Sequence, residues 1–180
     1  MWQPFNEQHT QFRKMVRSFV EKELAPNIDE WEKDELFPNW VFKRAGELGI
    51  HGAHYPEEQG GAGGDYWFSV AKSEEYCRAG AAGIGMGLLV QSDMATPVIG
   101  DVGTKEQIDE FLAPALRGDK IASLGVSEPG AGSDVAGIKT TARKDGDDYL
   151  ISGQKTFITN GTRADFVTML CKTRPDAGAQ

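Results

Sequence analysis

The sequence predicts an α+β fold, helical over residues 1–118 and built of short strands from residue 119 onward. Two observations carry this reading. Apolar residues recur at spacings of three and four up to about residue 117, then at a spacing of two after Gly118. The 22 glycines among 180 residues gather in short clusters, as tight turns and functional loops between elements require.

In the helical part, Phe12, Met15, Val16, Phe19 and Val20 make one apolar stripe on an otherwise charged helix. Pro26 marks a break or a new first turn. Asn39 is placed to cap a short helix bearing Trp40, Val41, Ala45 and Leu48, with Gly49 suited to its end. Asp65 is placed to cap the next, which carries Trp67, Phe68, Val70 and Ala71 and ends near Gly80. Residues 82–100 are small and uncharged until Asp93, which suits a helix packed closely against others. Thr104 and Gln107 form a capping box, and Ile108, Phe111 and Leu112 give that helix its buried side.

Strands are expected at 121–126, 140–144, 149–152 and 166–171, each rich in branched and aromatic residues. Asp145-Gly146-Asp147 reads as the hairpin turn between the second and third. The boundary between the two parts falls near Asp119, and no internal repeat is present. A polar tail at 173–180 follows the last strand, so the sheet reads as begun and not closed, the start of a truncated module.

Composition narrows the function. Apolar residues make up 39% and charged residues 26%, as in a folded globular protein, and the net charge is −8. No run of Lys and Arg appears, which argues against nucleic acid as a partner. Anionic ligands remain open, because backbone N–H groups bind phosphate without net positive charge. Cys77 and Cys171 lie far apart and in no CxxC pattern, which predicts two free, mostly buried thiols. With no targeting segment and no apolar run long enough for a bilayer, a cytoplasmic location without a membrane span is expected.

Two segments offer chemistry. Val126-Ser127-Glu128-Pro129-Gly130-Ala131-Gly132-Ser133-Asp134 follows a strand and is too small-residued to build a core. It is either a ligand-binding loop, offering N–H groups and hydroxyls, or, alternatively, a surface Ω-loop or a helix cap at Ser133/Asp134. It is not a dinucleotide fingerprint, since Val135 stands where a third glycine is needed. In Gln154-Lys155-Thr156-Phe157-Ile158-Thr159-Asn160-Gly161, a strand would point Phe157 and Thr159 to one side, a ring to stack and a hydroxyl to bond a planar cofactor. The alternative is an ordinary strand with Phe157 in the core and Asn160-Gly161 as a turn.

Other features read as structural. His51 and His54 form HxxH without the glutamate of a metalloprotease helix, so no metal site is expected. Glu74 and Glu75 read as a solvated helix face, and Glu57 and Glu58 as loop solvation. Glu128 and Asp134 have no neighbour that suggests a shifted pKa. A nucleophilic Ser127 or Ser133 would need a histidine, and all three histidines lie in the helical part.

Taken together, SEPGAGSDVAGIKTTA (127–142), the hairpin DGDDYLISGQK (145–155) and FITNG (157–161) resemble the acyl-CoA dehydrogenase family. ELGIHGAHYPEEQGGAG (47–63) and SVAKSEEYCR (69–78) extend the resemblance over nearly the whole chain. The resemblance implies an N-terminal helical domain (1–118), the first strands of a β-barrel-like middle domain (119–180), and a C-terminal four-helix domain missing from these residues. It implies FAD, lined by Leu124, Gly125, Val126, Ser127 and Ser133 and covered by Phe157, Ile158 and Thr159, with Ser133 also facing the acyl-CoA. Phe157 and Ser127 stand where family members commonly have Trp and Thr; both replacements keep a stacking face and a hydroxyl. The family's catalytic base is a glutamate of the C-terminal domain, so no residue here inherits that role. The implied reaction is α,β-dehydrogenation of acyl-CoA thioesters, as in β-oxidation, with an electron-transferring flavoprotein as acceptor and a homotetramer or dimer as the assembly. Flavin oxidases and monooxygenases share the architecture, and a non-catalytic scaffold is the remaining alternative.

Overall fold

A computed structural model describes residues 5–174 of the chain. Eight short helices come first: α1 (Glu7–Phe19), α2 (Ile28–Lys33), α3 (Trp40–Glu47), α4 (Tyr66–Tyr76), α5 (Ala82–Leu89), α6 (Pro97–Val102), α7 (Lys105–Gln107) and α8 (Ala113–Leu116). Four strands follow: β1 (Ala122–Gly125), β2 (Thr141–Asp145), β3 (Asp148–Ser152) and β4 (Phe166–Met169). The change of hydrophobic period after Gly118 therefore marks the change from helix to strand.

The stripe on α1 does what its spacing predicts. Val16, Phe19, Val20 and Leu24 are buried together with Val41, Phe42 and Ala45 of α3 and Ile84 and Leu88 of α5. At Val20–Leu24 the helix widens into a π turn, and Ala25–Asn27 then tightens around Pro26 before α2 starts. Asp65 caps α4, its carboxylate accepting from the Trp67 N–H at 3.0 Å. Thr104 and Gln107 close their capping box, at 2.9 and 3.3 Å.

Asn39 does not cap α3 with its side chain. Its own backbone is already helical (φ −62°, ψ −24°), so the side chain cannot turn back onto the first N–H groups, and it meets Arg163 Nη1 at 3.4 Å instead. Glu75 is not solvated either. It is fully buried where α4 crosses α1, and Arg17 (2.8 and 2.9 Å), Arg13 (3.2 Å) and Arg78 (3.0 Å) surround it. The hydrogen bond from Arg17 leads in holding its carboxyl below the ordinary range. Glu74, one residue earlier, is exposed, as are Glu57 and Glu58. Cys77 and Cys171 are free, but Cys77 is exposed and Cys171 half-buried. Cys77 opens the short turn that ends α4, on its outer side, and so misses the core.

The four strands make two separate ladders. β2 and β3 form the expected antiparallel hairpin, turning at Gly146 with φ +64°. β1 pairs with β4 in parallel, Ala122 opposite Phe166 and Gly125 opposite Met169. A parallel pair needs a long crossover, and here the whole segment 126–165 supplies it, hairpin included. Beyond β4, Lys172 exchanges backbone bonds with Thr140 and Ala142 (both 2.9 Å), tying the two ladders together.

Gln91, fully buried on the π turn after α5, joins the helices to β1. Its carbonyl accepts from Ala122 N at 2.7 Å, and its amide donates to Ala115 O (2.9 Å) and Lys120 O (2.7 Å). No helix among the described residues is long and apolar enough to cross a membrane.

Candidate functional site

The two segments that stand out in the sequence lie side by side. Ser127 O accepts from Thr156 N at 2.9 Å, Val126 O accepts from Lys155 Nζ at 2.9 Å, and Ser123 Oγ donates to Thr159 O at 2.7 Å. The parallel β1–β4 pairing causes this, because the chain must pass the C-terminal end of β1 on its way to the start of β4.

Leu124, in β1, packs on the buried cluster of Val90, Ala95 and Ala122, and Gly125 is buried beside it. Val126 and Ser127 are half-buried at the strand end. Glu128 and Ala131 then exchange backbone bonds (2.7 and 3.2 Å) and close a tight turn. Past that turn, Gly132 and Ser133 are exposed, and a side chain at Gly130 or Gly132 would meet nothing within 4 Å. The N–H groups of Gly130, Gly132 and Ser133 have no acceptor among the described residues. Ser133 is thus on the same loop as Ser127 but is not bonded to the Lys155–Thr159 segment. Asp134 makes no side-chain cap on the short turn Val135–Gly137 that follows it, so the helix-cap reading of this loop does not hold.

Phe157 is not on a strand. Its φ is +57°, the left-handed region, and its side chain is 96% exposed. The period-two argument that put Phe157 and Thr159 on one side therefore fails, because one left-handed residue breaks the pleat. The alternative that buries Phe157 in the core fails equally, although Asn160 (φ +65°) and Gly161 do form a turn. Ile158 and Thr159 are half-buried and line a cleft of about 410 Å³ with Trp31, Phe37 and Arg163.

Glu128 behaves differently from its sequence reading. Its Oε1 meets Lys155 Nζ at 2.8 Å and accepts from Thr140 N at 3.0 Å, while Oε2 accepts from Lys139 N at 2.6 Å. The Lys155 hydrogen bond is the largest influence, and together these donors hold the Glu128 carboxyl down to about 2. Such a group stays ionised and is held by three donors, one of them an ammonium, which makes it a poor general base. No local signal marks the pairing, because it depends on a crossover that residue spacing does not reveal. Among the described residues no cluster of three or more His, Cys, Asp and Glu side chains could hold a metal. His51 is buried and bonds Phe42 O at 3.1 Å; it faces the core.

This arrangement is a helical layer feeding a strand whose end, with a loop and a crossing segment, presents backbone donors and an exposed ring. Residues 6–119 match the family model "Acyl-CoA dehydrogenase, N-terminal domain", and residues 123–180 match "Acyl-CoA dehydrogenase, middle domain". The chain belongs to the acyl-CoA dehydrogenase family. Among curated relatives, the long-chain specific acyl-CoA dehydrogenase of Mus musculus mitochondria is 38% identical over 96% of this chain and 40% of its own length. The 3-(aryl)acrylate reductase of Clostridium sporogenes is 41% identical over 98% of this chain and 46% of its own. An acyl-CoA dehydrogenase structure from Geobacillus kaustophilus superposes with a TM-score of 0.91 at 40% identity, over 98% of this chain and 46% of that one. One from Bacillus anthracis, complexed with FAD, gives 0.87 at 33% identity, over 94% and 29%. The chain thus spans less than half the length of the relatives it matches.

Proposed function

We propose that this chain forms one wall of the flavin site in an enzyme that dehydrogenates acyl-CoA thioesters to trans-2-enoyl-CoA. The observation that carries the reading is the pairing of Val126–Ser127 with Lys155–Thr156, with the Phe157 ring held out in solvent just beyond it. An exposed aromatic in a left-handed conformation costs about 1–2 kcal/mol and gains nothing from the core, which points to a ligand for the ring to cover.

The residues present fit FAD. Small residues at Gly130 and Gly132 leave open space for close approach, and the exposed N–H groups of Gly130, Gly132 and Ser133 are free to donate to a ligand. When bound, the flavin supplies the two-electron redox chemistry, and the protein supplies binding and orientation. Leu124, Gly125 and Val126 line the ring with Ser127 donating to it. Phe157 and Ile158 cover it, and Thr159 offers a hydroxyl at its edge. Ser133 takes a bond from the acyl-CoA side. The acceptor of the substrate's α-proton is not in these two segments, since Glu128 is locked in an ion pair.

The same reading divides the chain into a helical domain (1–118) and part of a β-domain (119–180). It takes an electron-transferring flavoprotein as electron acceptor and a homo-oligomer as the working assembly, in fatty-acid or branched acyl-CoA catabolism. The test is to express the complete gene and record the visible spectrum, then add acyl-CoAs of different chain length anaerobically. A yellow protein bleached by acyl-CoA is expected, with slow reoxidation by oxygen. A folded, colourless product that takes up no added FAD would overturn the reading.

A further inference from the structure

The loop and the crossing segment are separated in sequence by the whole β2–β3 hairpin, yet one buried ion pair clamps them. Glu128 and Lys155 are each 6% exposed, with Oε1 and Nζ 2.8 Å apart. Lys155 also holds Val126 O, and Glu128 also holds the N–H groups of Lys139 and Thr140 at the entry to β2. Three separate stretches, 126–128, 139–140 and 155–156, therefore meet at this one pair.

An ion pair taken partly out of water is weak evidence for stability, since apolar side chains of similar volume often serve as well. A pair placed here instead fixes geometry. An ammonium bonded to Val126 O sets that peptide's position, and the neighbouring Ser127 O···Thr156 N bond carries the constraint into the segment bearing Phe157 and Thr159. Buried polar contacts of this kind orient the groups in front of them, which touch the ligand.

Building on the flavin reading above, we infer that Glu128 and Lys155 are positioning residues for the cofactor: the pair sets the register between Val126–Ser127 and Phe157–Thr159. It touches the flavin only through those residues. The helical part supplies an internal control. Lys72 and Asp93 form a second buried pair, Nζ to Oδ2 2.9 Å, also bonded to Ser92 and remote in sequence from both segments.

The experiment uses the holoprotein expressed from the complete gene, with FAD affinity, flavin absorbance and midpoint potential as readouts. Lys155→Met and Glu128→Gln should weaken FAD binding about tenfold or more, the range found when a supporting hydrogen-bond partner behind a ligand site is lost. Both should shift the flavin band and potential. Lys155→Arg should restore most of the affinity, and Asp93→Asn should lower the melting temperature while leaving the flavin spectrum unchanged. Should Lys155→Met not fold, Glu128→Gln, which keeps the side chain's shape, decides the matter alone. A yellow wild type whose folded Lys155 or Glu128 variant binds FAD with unchanged affinity and spectrum overturns the positioning role only. An Asp93→Asn change that moves the flavin band as far does the same. A wild type that takes up no FAD overturns the flavin reading and this inference with it.

Discussion

The side-chain amide of Asn160 donates to the carbonyls of both Gly87 (2.9 Å) and Ala122 (3.2 Å). One turn residue thereby joins α5 to β1, and it does so from the left-handed region (φ +65°) that Asn tolerates better than most residues. Gly87 makes room for this contact, since a Cβ there would lie 2.8 Å from the Phe37 ring and 3.2 Å from Asn160 Oδ1.

Asn160→Ala should therefore destabilise the protein by about 2–3 kcal/mol, from the carbonyls of two buried residues losing a donor and from left-handed strain. Asn160→Asp should cost more, because a carboxylate then faces two carbonyl oxygens. Urea unfolding checks both. An Asp variant as stable as the wild type would show that the amide is not oriented as described.

Gly46 and Gly49 make a contrasting pair around the end of α3. A Cβ on Gly46 would fall 2.2 Å from the backbone carbonyl of Arg117, whereas Gly49, at φ +70°, has nothing within 4 Å. Gly46→Ala should cost about 3 kcal/mol through overpacking against rigid backbone, although alanine favours a helix interior by about 1 kcal/mol. Gly49→Ala should cost only about 1 kcal/mol, from backbone strain alone. The reverse order in equilibrium unfolding would remove the close approach of α3 to the end of α8.

Acid should unfold the protein in two stages. Burial, helped by the Lys72 charge, pushes His51 down to about 3. The unfolded state, with an ordinary histidine near 6.5, binds the proton first, so this stabilisation is complete above pH 6.5 and is lost progressively as pH falls toward 3. By pH 5 the loss is about 2 kcal/mol. Glu128 acts lower: held to about 2 against an unfolded value of 4.5, its contribution is complete above pH 4.5 and is lost as pH falls toward 2. His51→Gln should reduce the slope of the stability profile between pH 6.5 and 4.5, with His54, also lowered by burial, supplying the remainder, and leave the lower stage in place. Equal slopes for variant and wild type in that window would mean that His51 is not buried neutral.

The sequence made the helices and strands legible because each has a local cause: the stripe on α1, the caps at Asp65 and Thr104, the Gly146 turn. The two segments at 126–134 and 154–161 were legible as motifs, SEPGAGSD and FITNG, and their resemblance pointed to the family. What escaped was set by tertiary context. Nothing local says that Glu75 meets three arginines, two on α1 and one on the turn after α4, that Gln91 bridges α8 to β1, or that β1 and β4 run parallel. The Glu128–Lys155 pair follows from that parallel crossover, so it was invisible for the same reason. Phe157 was misplaced because a strand pattern gives no warning of a single residue with positive φ.

Phe157 separates stability from function more sharply than any other position in the site. Its side chain is almost wholly exposed, so Phe157→Ala removes no core contact and should change stability by no more than about 0.5 kcal/mol. Its backbone is left-handed, so Phe157→Gly should be more stable than Phe157→Ala by up to about 1 kcal/mol, the strain relieved being partly offset by the freer unfolded chain. Neither change explains an aromatic at this position. If the ring covers the flavin, both variants should lose FAD affinity while folding normally. Base–aromatic contacts at ligand sites are worth about 1–3 kcal/mol, so a loss of about fivefold to a hundredfold is expected. Phe157→Trp has open space around it and a larger face, and should bind at least as tightly as the wild type. Fluorescence titration of the apoprotein with FAD measures all three. An alanine variant with wild-type affinity would take the Phe157 ring out of the site and leave its left-handed backbone without a function.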